Sequence, residues 1–110
     1  MELGEVVYTD VSTWPYFDRK TIGEQLVRAA DSIAANISEG YERHSFKENK
    51  VFLYYARGSA HETKTWIRKA HARGLMETEQ SDLLSAKIEF NIALLNGLIK
   101  STGHFPEKGK

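Results

Sequence analysis

Residues 25–40, QLVRAADSIAANISEG, decide the fold class. Within and just before them, Ile22, Leu26, Ala29, Ala30, Ile33 and Ile37 recur at helical spacing, which puts all six on one face of an α-helix. A second stripe, Gln25, Arg28, Ser32, Asn36 and Glu39, runs along the edge of that face. Polar groups beside a core seam lose hydration when another element covers them, so they need partners there. The pattern therefore points to helix packed on helix. A start signal is expected at Thr21-Ile22-Gly23-Glu24, where Thr21 and Glu24 form a capping-box pair. A stop is expected at Gly40, which suits the left-handed turn that closes many helices.

Working outward, the same reasoning yields four helices. Residues 2–13 offer Leu3, Val6, Val7 and Val11 as a short first helix, with Trp14 just beyond. WPYFDRK, residues 14–20, reads as a connector broken by Pro15. The second helix covers 21–39. After a short link, Ser45-Phe46-Lys47-Glu48 is a second capping box, and helical signal then continues to Arg73, where Gly74 stops it. On this third helix Phe52, Ala56, Ser59, Thr63, Trp66 and Ala70 are spaced 4-3-4-3-4, the seam of a left-handed bundle. Gly58 sits mid-helix, where it marks a close helix approach or a slight bend. The fourth helix, 78–100, carries Leu84, Ile88, Asn91, Leu95 and Leu98 as its seam. Short links between amphipathic helices favour an all-α, antiparallel up-down four-helix bundle. Residues 1–110 form one domain, with 101–110 as a frayed tail, and Trp66, Phe52, Ile33, Leu26, Leu95 and Ile88 are its expected buried core.

Composition narrows the function classes. The chain has no cysteine, which excludes disulfides and thiolate metal sites. MELGEVVYTDVS lacks the basic and apolar regions of a signal peptide, and no apolar run approaches membrane-spanning length, so a cytoplasmic location is expected. Net charge is zero but uneven: residues 45–74 carry seven bases and two acids, +5, while the other segments are acidic. At about 100° per residue, Lys50, Arg57, Lys64 and Arg68 fall in one narrow sector of the third helix, opposite Ala56, Thr63 and Trp66, with Tyr54 and His61 beside them. Arg43 and His44 in the preceding link extend this patch. A basic line with an interleaved aromatic suits phosphate contact and base stacking. The same residues also suit an ordinary solvated face.

RAADSIAANISEGYER, then FKENKVFLYYARGSAHETKTWIRKA, then RGL, resembles the four-helix-bundle family of 23S ribosomal RNA intervening-sequence proteins, over roughly residues 14–100. That family looks related to the accessory variability determinant of diversity-generating retroelements. The most specific elements are Gln25, Arg28-Ala29, Ser32-Ile33, Asn36-Ile37, Glu39-Gly40, and Arg57-Gly58-Ser59 with Glu62. The resemblance implies a first helix longer than the one present here, and association with RNA genes or retroelement nucleic acid. It also implies homo-oligomeric rings, commonly pentamers, and a place as an accessory subunit to an enzyme such as a reverse transcriptase.

Two further stripes bear on assembly. On the polar stripe, Arg28 is expected to pair with Glu62 or Glu48 and Asn36 to cap or bridge backbone groups, an arrangement that sets register more than stability; lining a binding groove is its other reading. On the fourth helix Leu83, Phe90 and Leu94, continued by small Gly97, form a second apolar line. A helix apolar on two sides either has a broad core face or meets another subunit, and the resemblance favours a subunit seam.

Signatures of catalysis are missing. His61-Glu62 opens like a zinc-protease helix, but Thr65 stands where the second histidine is needed. His61 and His71 point to different sides of one helix, and no Glu-x-x-His pair of the di-iron type occurs. Glu48 and Glu62 lie about 20 Å apart along the helix, too far for an acid–base couple. Asn36-Ile37-Ser38 fits a glycosylation sequon but lies inside a helix. Neither a metal nor a cofactor is expected. The sequence points to a non-catalytic nucleic-acid-binding bundle, with a protein-interaction scaffold meeting an acidic partner as the alternative.

Overall fold

The third helix begins where local chemistry dictates. In the computed structural model, which describes residues 2–102, Ser45 adopts an extended backbone and its Oγ accepts from the Glu48 N–H at 3.2 Å. The helix that follows, Phe46–Ala72, closes on Gly74 at φ +76°. There the Leu75 N–H bonds the Ala70 carbonyl and the Gly74 N–H bonds that of His71, the paired arrangement of a Schellman cap. The main helices are α1 (Glu2–Ser12), α2 (Glu24–Tyr41), α3 (Phe46–Ala72) and α4 (Thr78–Ser101). Short links make α2, α3 and α4 successive antiparallel neighbours, and α1 packs on α2 and touches α4. The result is an all-α four-helix bundle. It measures 54 × 22 × 18 Å. Most of the expected tail lies outside the described residues; Ser101 itself still belongs to α4.

Several local expectations are corrected. The second helix does not start at a Thr21–Glu24 capping box. The chain is already helical at Tyr16–Asp18, with Pro15 as N-cap at φ −54°, and then widens into a π-helical turn, Arg19–Gly23, that runs directly into α2. The Thr21 hydroxyl donates to the Phe17 carbonyl at 2.8 Å instead of capping. Pro15 thus opens a helix, because its missing N–H and fixed φ cost nothing at that position. Trp14 is buried and anchors the corner.

Gly40 is no left-handed stop, since α2 runs on to Tyr41. It is buried instead, and a Cβ there would lie 2.6 Å from Asn49 Oδ1 and 3.2 Å from Phe52 Cβ. The glycine permits close approach of α2 and α3. At Gly58 the reverse holds: nothing lies within 4 Å of a built Cβ, so it marks no close contact.

The core seams sit one residue over from the expected ones. On α3 the buried set is Leu53, Ala56, Ala60, Thr63, Ile67 and Ala70; Phe52, Ser59 and Trp66 are only half-buried. Both sets share Ala56, Thr63 and Ala70 and have the same periodicity. Ala60 and Ile67 displace Ser59 and Trp66 because they bring no side-chain polar atom into the core. Trp66 keeps its indole N–H at the edge, where it donates to Glu62 at 3.2 Å. On α4, Ile92 and Ile99 replace Asn91 and Leu98 beside Leu84, Ile88 and Leu95, which spares burial of the Asn91 amide. The expected burial of Leu26, Ile33, Ile88 and Leu95 holds, with each 1 % exposed or less.

Candidate nucleic-acid interface

Helix geometry alone aligns Lys50, Tyr54, Arg57, His61, Lys64 and Arg68 along one edge of α3. That edge lies beside α4 and not opposite the core. Arg57 Nη1 donates to Asn96 Oδ1 at 2.8 Å, and about two turns further on Lys64 pairs with Glu89. The positions 57/96 and 64/89 advance by seven in opposite directions, as two antiparallel helices in contact require. The Arg57 guanidinium also lies 5.0 Å from the centroid of the Tyr54 ring, which is itself half exposed.

The electrostatics divide the edge in two. The Lys64 hydrogen bond and charge hold the Glu89 carboxyl below its ordinary range, and His61 and Arg68 act in the same direction. The segment 61–68 is therefore partly neutralised. Towards the helix start, Lys50 makes none of the three ion pairs among the described residues, and Arg57 bonds only a neutral amide.

Arg43 does not extend this edge. It pairs with Glu39 and lies over the Phe52 ring at 4.5 Å, about half a turn around α3 from Lys50 and Arg57. His44 is exposed in the link.

The polar stripe on α2 is mostly solvent-facing. Arg28 pairs with neither Glu62 nor Glu48; it is exposed and its charge acts on Glu24. Glu62 accepts from Trp66 and Glu48 caps α3 through its backbone. Asn36 Nδ2 donates to the Ser32 carbonyl at 2.8 Å, one turn back on its own helix, and Gln25 is exposed. Among the described residues no hydrogen bond or ion pair of the stripe reaches another helix. Arg28 instead borders a groove of about 550 Å³ between α1 and the π-helical turn, with Tyr8, Val11 and Arg19.

Leu83, Phe90 and Leu94 are 51 %, 65 % and 51 % exposed, so the second apolar line of α4 is left uncovered by the other described residues. Sequence reasoning missed Asn96 and Glu89 as neighbours of the basic line. Their seven-residue separation, matching that of Arg57 and Lys64, was the available signal.

Among the described residues no cluster of three or more His, Asp or Glu side chains could hold a metal ion, and no helix is long and apolar enough to cross a membrane. The fold and this edge define a small antiparallel helical bundle that presents charge and aromatic surface along one helix. The chain belongs to the 23S rRNA-intervening sequence protein family, whose pattern matches residues 1–97 and so includes α1. No curated protein matches it.

Proposed function

We propose that this chain is a non-catalytic, cytoplasmic nucleic-acid-binding protein that works as a homo-oligomer, with the α3 edge as the contact surface. The alignment of Lys50, Arg57, Lys64 and Arg68 on one side of α3 carries the reading, and a family named for a sequence within an rRNA is consistent with it. The uncovered Leu83–Phe90–Leu94 line supports self-association, with a pentameric ring as the proposed form. In a closed ring each copy repeats the basic edge, so weak contacts add by avidity. The role fits an accessory subunit of a nucleic-acid-handling enzyme such as a reverse transcriptase.

The test is fluorescence anisotropy with random oligonucleotides across a salt series. Phosphate contacts make affinity fall with salt, with a logarithmic slope of about −2 to −3 for three to four contacts on a single strand. Replacing Lys50, Arg57, Lys64 and Arg68 together by Ala should abolish most binding and flatten the slope. An unchanged affinity in that variant rejects the proposal and leaves the scaffold with an acidic partner in its place. Light scattering that shows a monomer for the unaltered chain rejects the assembly.

A further inference from the structure

The basic edge offers little to a duplex. Lys64 is ion-paired, and only Lys50, Arg57 and Arg68 of the basic line stand outside the ion pairs among the described residues. Three phosphate contacts are few beside the roughly 6–10 that give duplex-binding proteins their salt-sensitive affinity. The open half of the edge is instead built around a ring. Tyr54 is 46 % exposed, lies one turn from Lys50 and Arg57, and is flanked by the Arg57 guanidinium at 5.0 Å. Asn96 Oδ1 fixes Arg57 from α4 at 2.8 Å, so the cation is held in place before any ligand arrives. A planar cation held beside an exposed aromatic ring, between flanking positive charges, matches what an unstacked base and its two phosphates present. In a duplex both faces of each base are already covered by its neighbours.

Resting on the nucleic-acid reading above, we infer that the ligand of this edge is a single-stranded polynucleotide, with one base stacked at Tyr54 and its flanking phosphates on Arg57 and Lys50. Recognition is by ring stacking and charge, so it tolerates any base and either sugar.

The experiment measures binding of one labelled oligonucleotide as a single strand, in RNA and DNA forms, and as its duplex, to the full chain and to Tyr54→Ala and Tyr54→Phe. The parent should bind the single strand about tenfold or more tightly than the duplex. Tyr54→Ala should lose about ten- to hundredfold on the single strand, the effect of removing one base–ring stack, and change duplex binding less than twofold. Tyr54→Phe, which keeps the ring, should bind as the parent does. Because Tyr54 is exposed, a retained helical circular dichroism spectrum checks that the variants fold. Equal loss on both ligands, or none on either, overturns the stacking site while leaving nucleic-acid binding intact. Failure of the parent to bind any oligonucleotide overturns the reading beneath it as well.

Discussion

Two glycines of the same bundle should respond in opposite directions to the same substitution. At Gly40 an added Cβ would meet Asn49 Oδ1 at 2.6 Å, Phe52 Cβ at 3.2 Å and the Asn49 carbonyl at 3.3 Å. The amide oxygen can rotate away, although it is already buried without a hydrogen-bond partner. The Phe52 Cβ and the Asn49 backbone can yield only if α2 and α3 move apart. Overpacking of this kind costs about 1–3 kcal/mol. Alanine recovers about 1 kcal/mol of helix propensity, which leaves a net loss of up to about 2 kcal/mol for Gly40→Ala. Gly58 is exposed in mid-α3, with nothing within 4 Å of a built Cβ. There the propensity term acts alone, and Gly58→Ala should gain about 1 kcal/mol.

For a chain of 110 residues the entropy of unfolding is about 0.23 kcal/mol/K, so 1 kcal/mol shifts Tm by about 4 °C. Gly40→Ala should melt up to about 8 °C below the parent and Gly58→Ala about 4 °C above it. Thermal unfolding followed by circular dichroism reads both, at one protein concentration so that assembly contributes equally. A Gly40→Ala midpoint at or above the parent's would refute the close α2–α3 approach. A lowered midpoint for Gly58→Ala would refute the open surface assigned to that position.

Ser45→Ala removes the acceptor for the Glu48 N–H and should cost about 1 kcal/mol by the same melting assay, whereas Thr21→Ala, at a hydroxyl that caps nothing, should cost less. Leu53→Ala should cost about 2–5 kcal/mol and exceed Phe52→Ala, although the phenyl is larger, because Leu53 is 2 % exposed and Phe52 half-buried; denaturant titration ranks the two. Glu89 has its pKa depressed in the fold by Lys64, so the pair stabilises above the ordinary carboxylate pKa of about 4.3 and that contribution is lost as pH falls through the lower folded value. Acid unfolding of Glu89→Gln should therefore show a shallower pH dependence below about pH 4 than the parent. The same variant frees Lys64 and removes an anion from the basic edge, so its oligonucleotide affinity should rise; a fall would show that Glu89 positions the edge.

What the sequence made legible was local. The Ser45 cap, the Gly74 stop and the core face of α2 each depend on residues within a few turns, and all three stand as read. The register of α3 was ambiguous because Phe52/Leu53, Ser59/Ala60 and Trp66/Ile67 are adjacent alternatives with identical spacing; only the facing helices choose between them. The π-helical turn was invisible for a related reason. A Cβ at Gly23 would lie 2.7 Å from Val11 Cγ1, a contact between elements that no local window contains. The basic line was legible from helix period alone. Its partial neutralisation by Glu89 was not, since that needs the pairing of α3 with α4.

The two proposed surfaces have a geometric relation that bears on how they work together. At about 100° per residue, Leu83, Phe90 and Leu94 occupy a sector of α4 about 40° wide. Glu89 and Asn96, which border the basic edge, lie at least about 100° around the helix from that sector, and the core residues Leu84, Ile88 and Leu95 lie on its far side. Contact through the apolar line therefore leaves Tyr54, Arg57 and Lys50 uncovered. Assembly would multiply copies of the nucleotide site without blocking any. A double substitution, Phe90→Glu with Leu94→Glu, separates these contributions. It should disperse the assembly with helicity retained, weaken binding of oligonucleotides long enough to reach several copies, and leave unchanged the affinity for one short enough to occupy a single Tyr54 site. Weaker binding of the short oligonucleotide would instead place the site at the junction between subunits, and the separation of the two faces on α4 would not describe the working protein.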